Sequence, residues 1–188
     1  MNPDLGPATR YVAELIARVH DDRLTGPTPC PAYTLGDLLD HVNGLSYAFT
    51  LAAAKSPVPG GSQGPSGDAS RLPDGWRESI PERLAGLADA WRKDDAWDGM
   101  TEAGGIQLPG QVAGLVALNE VVVHGWDVAR SSGQPYEPPA EAVEACIGFL
   151  GRSPGEGPFG TPVPVPDDAP PLDRLVGLAG RDPGWRTP

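Results

Sequence analysis

The sequence predicts an all-α fold, a bundle of four main helices followed by short extra helices near the C-terminus. Every sustained apolar pattern in the 188-residue chain repeats with a period near 3.6, and no segment shows the apolar–polar alternation of a strand. The 25 glycines and 23 prolines cluster outside those patterns, at 56–75 and 151–171. We therefore expect a single bundle domain over 1–188, with a flexible loop at about 56–75 and a Pro/Gly-rich C-terminal extension at about 151–188.

The first two predicted helices lie on either side of a proline-rich turn. The first spans about 8–24, where apolar side chains recur at helical spacing, and the Gly26-Pro27 pair ends it. The second begins after Thr34, a typical N-cap residue, and Asp37 lies at the third helical position, close to the positive end of the helix. Its apolar stripe consists of Leu35, Leu38, Val42, Leu45 and Phe49.

Three further helices and a final helical turn are predicted in the rest of the chain. A third helix covers about 80–94, and a turn-rich segment at 95–109 separates it from a fourth helix at about 111–131. A fifth, short helix at about 140–150 follows two prolines. After the Pro/Gly stretch, one more helical turn is predicted at about 172–179. The four longer patterns form the bundle.

Charge and cysteine content exclude several classes of protein. The formal net charge of −11 disfavours nucleic acid and anionic membrane surfaces as partners, since both carry negative charge. Two cysteines cannot form a disulfide framework and are typical of free thiols in a reducing compartment. Residues 1–10 contain no apolar signal-peptide core, and polar side chains interrupt the most apolar run, 112–129. We expect a cytoplasmic protein that acts on a small molecule, and bundles of this kind commonly form homodimers.

The fourth helix carries the strongest indication of chemistry. Between positions 112 and 129 its only ionisable side chains are Glu120, His124 and Asp127, and their spacing places all three on one line of the helix. The rest of the helix is apolar, so this line is expected to be buried, where unpaired carboxylates cost several kcal/mol. The alternative is that the line is a hydrated solvent face.

A histidine on another helix can complete a metal site. His41 lies beside the apolar stripe of the second helix and can point toward the bundle axis. Together with Glu120 and His124 it makes a His₂Glu set, and three protein ligands with one open position are typical of a catalytic zinc-type site. His20, in a polar helix end, is expected to be exposed. Cys30, between two prolines with no base nearby in sequence, is expected to be a packing or turn residue.

Two segments resemble a known family. TPCPAYTLGDLLDHV (28–42) and LVALNEVVVHGWDVARSSGQPY (115–136) are similar to those of the DinB/YfiT-like metalloenzymes, in particular the group around mycothiol-dependent maleylpyruvate isomerase. The closing stretch at 168–185 resembles single-domain relatives of that group. The resemblance implies a DinB-like four-helix bundle with a divalent metal, zinc or nickel, held by His41, Glu120 and His124. The isomerase is longer and has a second C-terminal domain, so the resemblance extends to the metal site rather than to that particular activity.

The resemblance also implies a class of reaction. Related enzymes often use a low-molecular-weight thiol such as mycothiol in S-transfer or isomerisation, so we expect a metal- and thiol-dependent transferase or isomerase acting on a small electrophile. Asp127, the candidate catalytic residue, could orient a ligand, act as a base or anchor the cosubstrate amine. Two alternatives are a metal-dependent hydrolase with the same site and a non-catalytic small-molecule or stress-response binding bundle.

Overall fold

The computed structural model describes residues 2–58, 66–152 and 159–187. Within these ranges the fold is mostly helical, as the sequence predicts, with six α-helices and one small hairpin. The elements in chain order are α1 (Gly6–Ala17), α2 (Leu35–Ala53), α3 (Trp76–Trp91), β1 (Met100–Ala103), β2 (Ile106–Pro109), α4 (Gly110–Ser132), α5 (Ala140–Leu150) and α6 (Pro171–Leu178).

Helices α1 to α4 form the bundle. α1 and α2 each pack against both α3 and α4, so α1 and α2 occupy opposite corners. The core between them is built from the apolar stripes of the four helices, and the α2 stripe lies entirely within it. Its largest fully buried side chains include Trp126, Leu15, Ile16, Leu35, Leu38, Leu39, Leu45, Ile80, Leu84, Leu87 and Leu118.

The start of α2 is fixed by a reciprocal cap. The Thr34 side chain accepts a hydrogen bond from the Asp37 amide, and the Asp37 carboxylate accepts one from the Thr34 amide. This capping box satisfies two backbone donors that a helix start leaves without partners. It therefore confirms the predicted helix start and sets the register of His41.

The predicted first and third helices differ from the observed ones at their ends. α1 ends at Ala17, and the guanidinium of Arg77 on α3 donates two hydrogen bonds to the carbonyl of Val19 just beyond it. That long-range contact replaces the next helical turn, and Asp21–Arg23 forms only a short 3₁₀ turn. α3 begins at Trp76, one turn before the predicted start, because the Trp76 side chain is buried in the core.

The prediction that the chain has no strands was wrong for one short segment. Residues 100–109, expected to be turn-rich only, contain the antiparallel pair β1–β2, joined by the two-residue turn Gly104-Gly105. Both glycines have positive φ angles, 58° and 82°, which the tight hairpin turn requires and which other residues adopt only with strain. A Gly-Gly pair between two short runs is a recognised hairpin signal.

Parts of the two Pro/Gly-rich segments are attached to the bundle. The amides of Asp68 and Ala69 donate to carboxylates of α2, from Asp40 and Asp37, and Arg71 pairs with Asp40 at 2.9 Å. Polar anchors therefore hold the C-terminal part of the segment at 56–75, and residues 59–65 of the predicted flexible loop lie outside the described residues. In the C-terminal extension, α6 packs against α5 and α4.

α4 is the central helix of the fold. Among the described residues it is the helix that is long and apolar enough to cross a membrane, yet 83% of its most apolar window is buried inside the protein. That burial is typical of the core helix of a bundle. It ends at Gly133, whose φ of 71° caps the helix as the sequence predicts.

Candidate metal centre

The three predicted ligands come together between α2 and α4. Glu120 and His124 lie one turn apart on α4, and His41 faces them from α2. The Oε2 atom of Glu120 is 3.0 Å from Nε2 of His124 and 3.8 Å from Nε2 of His41. One potential ligand atom from each residue lies within 4.8 Å of the other two. Two elements distant in sequence thus bring two imidazoles and a carboxylate to one point.

These groups are not on a solvent face. Glu120 is 8% exposed, His124 is 6% exposed, and Asp127 is completely buried. The alternative that this line of α4 is hydrated is therefore wrong. The two imidazole rings pack edge to face with centroids 4.8 Å apart, and the Tyr33 ring lies 5.3 Å from that of His41.

Asp127 holds the far side of the His124 ring. Its Oδ2 atom is 2.9 Å from Nδ1 of His124, so the carboxylate accepts a hydrogen bond from that nitrogen and leaves Nε2 directed toward Glu120. The same Oδ2 atom accepts a hydrogen bond from Nη2 of Arg181 at 2.9 Å. Asp127 thus lies behind the cluster and does not line the adjoining cavity.

Interactions among the side chains of the site favour their charged forms. Burial opposes ionisation of Glu120, but the close contacts with the His124 and His41 rings outweigh it and lower the pKa of Glu120 to about 2. Burial likewise opposes protonation of His124, but the hydrogen bonds to Asp127 and Glu120 raise the pKa of His124 to about 9. Burial acts against the charge of Asp127 too, and the partners His124 and Arg181 keep the pKa of that carboxyl low.

A cavity of about 370 Å³ opens onto the cluster. One wall is the turn before α2, which includes Cys30 and Tyr33. The hydroxyl of Thr28 organises this turn, since it bonds to the carbonyls of both residues and accepts from the Cys30 amide. The opposite wall comes from the C-terminal extension and consists of Phe159, Gly160, Gly180 and Arg181, which we call the C-terminal wall.

Sequence reasoning missed the C-terminal wall. Arg181 contributes its guanidinium to the site although it lies 54 residues after Asp127. It is one of 14 basic residues in the chain, and no spacing singled it out. Cys30 does fill a turn, as expected, but it also lines the cavity and is only half-buried. His20 is exposed as predicted.

The cluster has the chemistry of a divalent-metal site. Imidazole nitrogen and carboxylate oxygen are the usual ligands of catalytic zinc sites, and tetrahedral ligands at bond lengths of about 2.0–2.1 Å lie roughly 3.3–3.4 Å apart. The separations of 3.0 and 3.8 Å from Glu120 to the two histidines bracket that value. The three side chains therefore offer the donor set of such an ion; the separations from Glu120 are close to the required value, and the three ligand atoms together lie within 4.8 Å of one another.

The mostly helical fold, with six α-helices and one small hairpin among the described residues, is of the DinB-like class. Residues 5–129 match the family described as mycothiol maleylpyruvate isomerase N-terminal domain. The chain belongs to that family.

Relatives and solved structures agree with this assignment. Uncharacterized proteins from two strains of Mycobacterium tuberculosis are 34% identical over 179 residues, which is 90% of this chain and 91% of theirs. The crystal structure of the mycothiol-dependent maleylpyruvate isomerase superposes with a TM-score of 0.60 at 17% identity, and a mutant of that enzyme does so with 0.59. These matches cover 78% of this chain and 66% of the isomerase, so the chain spans just under two thirds of that enzyme's length.

Proposed function

We propose that this protein is a divalent-metal-dependent enzyme that uses a low-molecular-weight thiol of the mycothiol type, as an S-transferase or an isomerase, on a small electrophile. The observation that carries the proposal is the buried cluster of His41, Glu120 and His124 at the end of a 370 Å³ cavity. A cavity of that size is within the range of small-molecule sites. Membership of the mycothiol maleylpyruvate isomerase N-terminal domain family supports the thiol.

In this proposal His41, Glu120 and His124 hold the ion, with zinc as the first candidate and nickel as the alternative. Two neutral imidazoles and one carboxylate leave a net positive charge at a divalent site, which suits an anionic thiolate. When bound, the ion supplies Lewis acidity that lowers the pKa of a thiol or a water molecule in the cavity.

The protein's own cavity thiol is a poor substitute for a cosubstrate. Burial is the main reason that the pKa of Cys30 is raised, although the positive charge of Arg181 acts in the opposite direction. A protonated thiol is a weak nucleophile. The reactive sulfur is therefore assigned to a bound thiol and not to Cys30.

Asp127 is proposed to be a positioning residue. Its carboxylate is fully buried, bonds to Nδ1 of His124 and lies outside the cavity lining. A base or an anchor for a cosubstrate amine must touch the reacting molecule, whereas an orienting carboxylate must touch the metal ligand. The geometry supports the orienting role.

Metal analysis and thiol titration test the proposal. Protein purified without chelators is expected to bind one zinc or cobalt ion per chain, and His124→Ala is expected to lose the ion while retaining helical circular dichroism. His20→Ala, a change at an exposed histidine, is the matched control and should bind like the wild type.

Thiol titration distinguishes the three functions. A thiol that shifts the visible spectrum of the cobalt-loaded protein supports the transferase or isomerase. A cobalt spectrum that thiols leave unchanged, together with hydrolysis of small esters or amides, would support the hydrolase instead. Wild-type protein that binds no divalent ion at micromolar concentration would overturn both and leave the non-catalytic binding bundle.

The setting of the enzyme is part of the same proposal. The two cysteines are free, which supports a reducing, cytoplasmic compartment. The net charge of −11 supports a small-molecule substrate over nucleic acid or a membrane surface. The four residues of the C-terminal wall line the cavity, which supports one domain over 1–188. Light scattering would test the homodimer that bundles of this type commonly form.

A further inference from the structure

Arg181 links the C-terminal extension to the centre of the bundle. It follows α6 in a tight turn at Gly180, whose φ of 79° is in the left-handed region. A Cβ atom at position 180 would lie 2.8 Å from backbone atoms of Gly160, so the missing side chain of Gly180 allows the two backbone segments of the C-terminal wall to touch. The turn directs the Arg181 side chain inward, where it is 8% exposed.

The hydrogen bonds of Arg181 show what it does there. Its Nε and Nη2 atoms donate to the two oxygens of Asp127, at 3.4 and 2.9 Å, and Nη1 donates to the carbonyl of Ala179 at 2.7 Å. This forked arrangement fixes the plane of the carboxylate as well as its position. The Asp127 oxygen that bonds to His124 is the one that bonds to Nη2, so the fork determines where that hydrogen bond points.

We propose that Arg181 is a positioning residue for the metal centre: it holds the Asp127 carboxylate in the orientation that keeps Nε2 of His124 directed at the ion. This rests on the proposed metal site. Without Arg181, Asp127 would keep one charged partner, the His124 ring, and its carboxylate could rotate about its last torsion. Loss of a group that orients a metal ligand typically lowers metal affinity roughly 10–100-fold, so loss of Arg181 should measurably weaken metal binding.

The C-terminal extension thereby has a function in the metal centre. The ligands come from α2 and α4, and the partner that orients one of them comes from residues after α6. The extension therefore completes the metal centre from outside the four bundle helices.

The test uses full-length cobalt-loaded protein and four variants: Arg181→Gln, Arg181→Lys, Asp127→Asn, and Arg181→Gln combined with Asp127→Asn. Cobalt affinity is measured by competition with a chelator, together with the visible spectrum. Arg181→Gln should weaken cobalt binding about 10–100-fold and alter the spectrum, and Arg181→Lys should restore part of both. Arg174→Gln, a change at an exposed arginine of α6, is the control and should match the wild type.

The double variant decides whether Arg181 acts through Asp127. If it does, adding Arg181→Gln to Asp127→Asn should change the affinity far less than it changes that of the wild type. Additive losses, or an Arg181→Gln protein with wild-type affinity and spectrum, would overturn the inference while leaving the metal site intact. A wild-type protein that binds no cobalt would instead overturn the proposed function. If Arg181→Gln does not fold, Arg181→Lys is compared with Asp127→Asn. An Arg181→Lys protein with wild-type cobalt affinity and spectrum would show that the forked hydrogen bonding of the guanidinium to Asp127 is not needed.

Discussion

Replacing Asp127 with asparagine removes one negative charge from the protein interior while changing the shape of the side chain very little. Asp127 is completely buried and bonds at 2.9 Å to both His124 and Arg181. The substitution therefore separates the charge of the carboxylate from its packing. Two quantities should change, the metal affinity and the free energy of unfolding.

The expected loss of metal affinity follows from the hydrogen bond to His124. A hydrogen bond to a charged group contributes about 1.5–3 kcal/mol, and orienting partners of metal ligands contribute roughly 10–100-fold in affinity, which is about 1.4–2.8 kcal/mol. The two ranges agree. We expect Asp127→Asn to bind zinc or cobalt roughly 10–100-fold more weakly than the wild type.

The expected loss of stability follows from the pair with Arg181. Removing one member of a buried ion pair costs about 3–5 kcal/mol, because the other charge stays buried without compensation. For a chain of this size about 1 kcal/mol corresponds to a Tm change of roughly 2–4 °C, so Tm should fall by roughly 6–20 °C.

Competition with a chromophoric chelator measures the affinity, and thermal unfolding followed by circular dichroism measures Tm, both with and without added metal. Asp98→Asn, which removes the same charge at an exposed position, is the matched control and should change neither. An Asp127→Asn protein with wild-type affinity and a Tm within about 2 °C would refute the reasoning, because it would mean that the carboxylate neither orients His124 nor neutralises Arg181.

Three further predictions concern pH, packing and capping. The pKa of His124 is raised to about 9, and an ion on Nε2 must displace the proton there, so apparent metal affinity should rise with pH below about 9, by up to roughly tenfold per pH unit. Calorimetry in buffers of different ionisation enthalpy should detect the released proton. A pH-independent affinity would contradict this prediction. Gly114→Ala should destabilise the bundle by about 1–3 kcal/mol in urea unfolding, because the added methyl would overlap the Trp97 ring and lie 2.8 Å from Cζ3 of Trp91. Gly86→Ala, in open space on α3, should be neutral or stabilising. Thr34→Ala should cost about 0.5–2 kcal/mol in the same assay through loss of the capping box at α2, and an unchanged midpoint would show that the cap contributes nothing.

The existence of the helices could be predicted from local pattern, and the residues of the candidate metal cluster from local pattern together with the family resemblance. A period near 3.6 identifies a buried helix face wherever the face is packed, and the Thr34 cap and the Gly133 end of α4 are signals carried by single residues at the helix ends. The cluster was predictable because Glu120 and His124 lie one turn apart, and because burying them on an apolar helix requires a compensating partner. His41 could be added from its place beside an apolar stripe.

Other features depended on contacts between residues distant in sequence. α1 ends where Arg77 of another helix takes the carbonyl of Val19, and nothing in the first helix itself encodes that contact. Arg181 reaches Asp127 from the C-terminal extension, where Gly180 lets its backbone touch that of Gly160. A helix face or a cap is determined by neighbours three or four residues away, which the sequence displays directly. A charge pair that spans 54 residues is determined by how the whole chain packs, and only the tertiary structure decides it.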